Sequence, residues 1–276
     1  MKYDNESPDG VVGFMELGHR YEYTDTRKKI GSSVTTIIKD YHDEFITDEV
    51  AKKVSTIESS QYYGMDPEDI KKLWIRKSEE GTELHAYGEA LLQRQDPTVP
   101  DLPKAKWVPE IVDDLLSNYE LAKAELLVYS EILDLAGQSD ILLKKKWGDE
   151  TDYKYSIYDW KFLGKELEMT SYYNPFTRRF KMMSDPFHHL KDCNWIHYSI
   201  QLAIYQTLTG DPARIREKVL VVVNDDKYSL IPAYPMRVFW DEDLNLQAVY
   251  EIYNGKYYDS RVDKLCNTWP TDIKGR

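Results

Sequence analysis

Residues 195–210, WIHYSIQLAIYQTLTG, are the most constraining stretch of the chain. They read as a helix apolar nearly all round and ended by Gly210, and such a helix folds only where it is covered on every side. KVLVVVN (218–224) reads as a buried strand, with YSLIPAY (228–234) as its candidate partner. YSIYDWKFL (155–163), rich in β-branched and aromatic residues, predicts another strand. AELLVYSEIL (124–133) and LAGQSDILL (135–143) predict two more, joined by a tight connection. Helical spacing runs through SSVTTIIKDYHDEF (32–45) behind a serine N-cap, and through 110–123. It also runs through 66–93, opened by Asp66-Pro67-Glu68 and with a break expected at Gly81.

The remaining segments are less regular. Residues 1–31 read as a polar arm with one short strand pair around Tyr21 to Tyr23, and DPTVPDLP (96–103) as a loop. Residues 164–192 have no clear period, and the chain from Trp240 onward reads as a helix with a polar tail. The order helix, three strands, helix, strand predicts one α/β domain with a mixed sheet wrapped by helices. Within it, 1–80 is expected to form an N-terminal arm and helical extension, 81–235 the core, and 236–276 a C-terminal helix and tail.

Composition narrows the function classes. With 42% hydrophobic and 30% charged residues, and with 22 Tyr and 7 Trp, disorder throughout is excluded. No stretch is long and apolar enough for a membrane span, and MKYDNESPDG lacks a signal-peptide core, so no membrane partner and a cytoplasmic location are expected. Two cysteines, Cys193 and Cys266, argue against a disulfide scaffold or a four-thiolate cluster. A net charge of −12 argues against a sequence-blind DNA coater. It leaves room for a nucleic-acid enzyme, which needs acid around its metal and positive charge only in its groove. The positive charge is clustered, at Lys71-Lys72, Arg76-Lys77, Lys144 to Lys146 and Arg178-Arg179-Lys181.

The chemistry concentrates on two strands. Alternation places Asp159 and Lys161 on one face of 155–163, their bases roughly 6–7 Å apart. A lone Asp-x-Lys is ordinarily an exposed sheet face, but this one interrupts a strand built for burial, where a carboxylate and an ammonium need a purpose. If the preceding strand pairs with it, Asp140 and Asp159 can share a divalent ion, and carboxylate oxygens suit Mg²⁺ or Mn²⁺. His85 falls at the rim of a helix face marked by Leu84, Gly88 and Leu91, within reach of a site at the sheet edge. Glu125, at the start of its strand, stands near enough to assist without belonging to the set. Tyr198, Gln201, Tyr205 and Leu208 line one face of the apolar helix. Tyr172, Tyr173, Phe176, Arg178, Arg179 and Phe180 offer rings and charges for a single nucleic-acid strand.

Taken in order, Gly81-Thr82-Glu83-Leu84-His85, Gly137-Gln138-Ser139-Asp140, Asp159-Trp160-Lys161 and Gln201-Leu202-Ala203-Ile204-Tyr205 resemble four motifs of the PD-(D/E)XK nuclease superfamily. They are the G-T-x-x-H helix, G-x-x-D strand, (D/E)-x-K strand and Q-x-x-x-Y helix of its RecB-type exonuclease branch. Ser33-Val34-Thr35 before a helix is also similar to phage and mitochondrial genome maintenance exonucleases of that branch. The resemblance spans roughly residues 20–235. It implies a restriction-endonuclease-like core, with a mixed central sheet flanked by helices and an N-terminal helical extension. It implies Mg²⁺ or Mn²⁺ held by Asp140, Asp159 and the Trp160 carbonyl, with His85 as a further ligand. Lys161 would position the attacking water, and Gln201 and Tyr205 would hold the substrate strand. Iron–sulfur relatives use four cysteines, so no iron–sulfur cluster is expected. The implied activity is a metal-dependent DNA exonuclease acting on single-stranded or duplex ends in recombination, repair or replication, with a protein of those processes as partner. A structure-specific endonuclease and a non-cleaving DNA-binding or assembly protein are the alternatives.

Overall fold

The computed structural model describes residues 3–42, 45–146, 155–174, 177–210 and 212–250. It opens with an antiparallel sheet of β1 (Asn5–Glu6), β2 (Val12–Met15) and β3 (Arg20–Tyr23), where one strand pair was expected. β4 (Ser32–Ser33) runs into α1 (Val34–Lys39), followed by α2 (Thr47–Thr56), α3 (Pro67–Leu92) and α4 (Val108–Asn118). Then come β5 (Tyr119–Ser130), β6 (Leu135–Lys145), β7 (Tyr155–Phe162), and the two-residue strands β8 (Tyr173–Asn174) and β9 (Arg179–Phe180). α5 (Asn194–Leu208), β10 (Ile215–Val223), β11 (Tyr228–Pro232), β12 (Met236–Trp240) and β13 (Leu246–Tyr250) complete the described chain.

The central sheet has the order β11-β10-β7-β6-β4, with β5 also paired to β6. β7 and β10 run parallel, as do β4 and β6, while the other pairs are antiparallel. The architecture is therefore α/β with a mixed sheet flanked by helices. A parallel β7–β10 pair requires a crossover, and α5 supplies it. β10 shows why its sequence is an unbroken apolar run. Leu220 and Val222 face the cluster built around α5, while Val219, Val221 and Val223 face the one built on α3 and α4. α5 is buried at every residue from Ser199 to Leu208, as its all-round apolarity requires.

Two glycines set close approaches. A Cβ at Gly137 on β6 would sit 2.7 Å from both Tyr205 and Val34, so this glycine lets α5 and α1 close onto the sheet. A Cβ at Gly88 would press within 3.1 Å of the Trp160 indole.

Several boundaries differ from the sequence reading. α3 continues through Gly81 without a break, because Asp66 caps it, Pro67 starts it, and Leu84, Tyr87 and Leu92 anchor its far half. α1 is shorter than 32–45, although Ser33 caps it as expected, its side chain accepting from the Thr36 N–H. The helical pattern over 110–123 ends at Asn118, because residues from Tyr119 onward pair with β6. From Met236 to Tyr250 the chain is a hairpin rather than the start of a helix. Met236, Val238 and Leu246 pack toward α5, and the Thr207 hydroxyl donates to the Val238 carbonyl at 2.6 Å. The remainder of the expected C-terminal helix and tail lies outside the described residues. β4 joins the central sheet and the β12–β13 hairpin packs on α5, so the packing crosses both expected segment boundaries.

Candidate active site

The site forms where β6 and β7 part. Their ladder runs from Lys144↔Tyr155 to Ile141↔Tyr158 and stops there. Beyond it β6 pairs with β4, while β7 continues along β10. Asp140 fills the gap. Its Oδ2 accepts the Trp160 backbone N–H at 2.7 Å, replacing the next backbone bond of the ladder. Trp160 thus meets the cluster through its N–H.

On the other flank of β6, Ala124↔Ile141 and Leu126↔Ser139 put Glu125 across from Asp140. Glu125 has φ +49°, a left-handed conformation inside a strand, and its carboxylate accepts from the Gln138 amide. α3 delivers His85 from above, its Nδ1 3.4 Å from Asp140 Oδ2 and its ring edge-on to Phe162. One ligand atom from each of His85, Glu125 and Asp140 lies within 4.8 Å of the others.

The electrostatics describe acids short of positive charge. Burial, then the Asp159 and Glu125 charges, hold the Asp140 pKa well above the ordinary carboxylate range. Burial, together with the Glu89 and Asp159 charges, pushes Glu125 up to about 7 against the opposing Gln138 hydrogen bond. Burial and the Lys161 ammonium push His85 down to about 4, leaving a neutral imidazole with a free lone pair at neutral pH. Two mutually repelling carboxylates and one neutral imidazole fit a divalent ion such as Mg²⁺ or Mn²⁺.

Asp159 borders this group on β7. It is 1% exposed and ion-paired with Lys161, and its charge acts on Asp140 more strongly than that of Glu125. Burial pulls the Lys161 pKa down, but Asp159 and Asp140 outweigh it and the net shift is upward. Lys161 is therefore an ammonium, suited to stabilising charge rather than to removing a proton.

α5 supports that ammonium. Lys161 Nζ lies 4.6 Å from the Tyr198 ring centroid and 3.5 Å from Gln201 Oε1, while Gln201 Nε2 donates to the Tyr205 hydroxyl at 2.9 Å. Gln201 and Tyr205 are 9% and 3% exposed. Tyr205 orients Gln201, which faces Lys161. Arg178 and Arg179 are exposed, at the β8–β9 hairpin, beside exposed Tyr172, Tyr173 and Phe180. The hairpin is tied to the start of α5 by Asp192, which meets Lys181 and His197 at 2.7 Å each. Phe176 lies outside the described residues.

Glu125 is the acid that local pattern marks least. β5 begins at Tyr119 and turns from exposed to buried at Ala124, so Glu125 stands mid-strand at the start of its buried half.

The Glu125 shift has a measurable sign. Its pKa is 4.5 ordinarily and about 7 in the fold, so the folded state holds this proton more tightly than the unfolded chain. The stability it contributes is present below the ordinary value and is lost as pH rises through the folded one. With chelator present, raising pH across that window should lower the thermal midpoint of the wild type more than that of Glu125→Gln. Equal slopes for the two proteins would show that Glu125 is not perturbed.

No helix among the described residues is long and apolar enough to cross a membrane. Neither comparison with models of known protein families nor comparison with curated proteins returns a match to this chain.

Proposed function

We propose that this chain is a divalent-metal-dependent deoxyribonuclease that hydrolyses phosphodiester bonds from DNA ends, a RecB-type exonuclease of the PD-(D/E)XK superfamily on a restriction-endonuclease-like core. The reading is carried by one observation. Asp140, in the gap between β6 and β7, meets His85 and Glu125, with the Asp159–Lys161 pair on the adjoining strand. His85, Glu125 and Asp140 would hold Mg²⁺ or Mn²⁺. Bound there, the ion supplies Lewis acidity and positive charge for phosphodiester hydrolysis.

The chain's own residues supply the rest. The Lys161 ammonium, fixed by Asp159 and cushioned by Tyr198, faces the negative charge that grows on phosphate oxygens in the transition state. Asp159 and Gln201 hold its direction and restrict its rotamers. The exposed rings and arginines of the β8–β9 hairpin provide stacking and phosphate contacts for a single strand. Replacing Arg178 and Arg179 together by Ala should weaken DNA binding and reduce the slope of log affinity against log salt by about 2. An unchanged slope would remove the hairpin from the binding surface.

The test is a time course on end-labelled linear single-stranded and duplex DNA with Mg²⁺, beside the Lys161→Ala protein and with closed circles as a control. A product ladder shortening from one end, with circles spared and activity lost to chelator, is the expected result. Nicked circles would make the protein an endonuclease, and retarded but intact DNA would make it a binding protein.

A further inference from the structure

The carbonyl of Glu125, the residue left-handed inside β5, meets a side chain far outside the four motifs. In the β5–β6 ladder, Ala124 and Leu126 pair normally with β6 while Glu125 between them does not. Its carbonyl instead accepts a hydrogen bond from the Asn5 side-chain Nδ2, across 120 residues of sequence. The Asn5 amide is itself oriented, because its Oδ1 accepts the Glu6 N–H at 2.9 Å and leaves Nδ2 to donate. Asn5 is in turn fixed by β1, paired with Phe14 of β2. Behind them the N-terminal sheet packs on β5 and β6 through Val12, Phe14 and Tyr21 against Leu127 and Ala136. The buried Tyr21 stands close enough to feel the charges of Glu125 and Asp140, which add to burial in raising its pKa.

A non-glycine residue adopts this conformation only when its surroundings over-determine it, and such residues cluster where a side chain must be aimed. We propose that Asn5 is a positioning residue of the metal centre. By holding the Glu125 carbonyl out of the sheet ladder it keeps residue 125 left-handed, and so keeps the Glu125 carboxylate beside Asp140 and His85. The N-terminal strand β1 is then a working part of the site rather than an accessory arm. This rests on reading His85, Glu125 and Asp140 as metal ligands.

The experiment measures manganese(II) binding to the full chain, from the loss of the free-ion EPR signal, for the wild type, Asn5→Ala, Asn5→Asp and Glu125→Gln. Thermal midpoints in chelator are recorded alongside. Asn5→Asp keeps the size and the Oδ1 acceptor, removes the donor and sets a negative charge against the Glu125 carbonyl, so it breaks the same bond if Asn5→Ala does not fold. Outer-shell partners of metal ligands typically contribute 10- to 100-fold in affinity. Both Asn5 variants should therefore bind manganese about 10- to 100-fold more weakly, with metal-free midpoints close to that of the wild type. Wild-type affinity in the Asn5 variants, with affinity lost in Glu125→Gln, overturns the positioning role and leaves the metal centre standing. A lowered metal-free midpoint with unchanged affinity makes Asn5 merely structural. Equal binding by wild type and Glu125→Gln, or binding by neither, overturns the metal reading and this proposal with it.

Discussion

Asp140→Asn should produce a folded protein that does not detectably cleave DNA, and whose metal-free form unfolds at a higher temperature than the wild type. The amide oxygen can still accept the Trp160 N–H, so the junction between β6 and β7 keeps its bond. What disappears is a negative charge that the metal-free fold holds at a cost, since burial and the Asp159 and Glu125 charges all oppose ionisation there. The sign gives a second check. A carboxyl whose pKa is raised by folding loses stability as pH rises, so the advantage of the Asn variant should be present at neutral pH and vanish in acid. A protein stabilised by losing one charge and inactivated by the same loss has that charge for function rather than for folding. Cleavage at a rate near that of the wild type would place the chemistry elsewhere.

Lys161→Ala should lower the cleavage rate by about 10²- to 10³-fold, the range for removing one preorganised stabiliser of transition-state charge. Manganese binding should persist, because Lys161 is outside the His85, Glu125 and Asp140 cluster. The same change strands Asp159, which is 1% exposed and has Lys161 as its ion-pair partner. Removing one member of a buried pair typically costs about 3–5 kcal/mol, so the variant should also unfold more readily. Asp159→Asn combined with Lys161→Met separates the two effects. The double variant should regain most of the stability and none of the activity, as read by thermal unfolding and the end-labelled DNA assay. Activity returning with stability would reduce Lys161 to a structural lysine.

Local physical demands made much of the architecture legible. An all-round apolar helix had to be central, and α5 is. An unbroken Val-rich run had to be covered on both faces, and β10 is. Ser33 and Asp66-Pro67 mark helix starts that the structure retains. The misplaced elements were those in which local pattern and long-range pairing disagree. YELAKAE (119–125) carries a helix-compatible spacing but is held as strand by β6. The chain from Met236 to Tyr250 alternates weakly, and it folds as a hairpin because α5 offers an apolar surface to its inward side chains.

The candidate site divides along the same line. Local pattern alone places Asp140, Asp159 and Lys161 in strands built for burial, and His85 at the rim of a helix. These follow from alternation and helical period, which depend only on neighbours in the chain. Which carboxylate would stand beside which was decided by the tertiary structure. Where β6 parts from β7, Asp140 stands beside Glu125 and His85, and Asp159 on the adjoining strand pairs with Lys161. The packing of α5 puts Tyr205 behind Gln201, and a hydrogen bond from Asn5 reaches the backbone of Glu125, 120 residues away. Strand register and separation arise from contacts between distant segments, and no local periodicity encodes them.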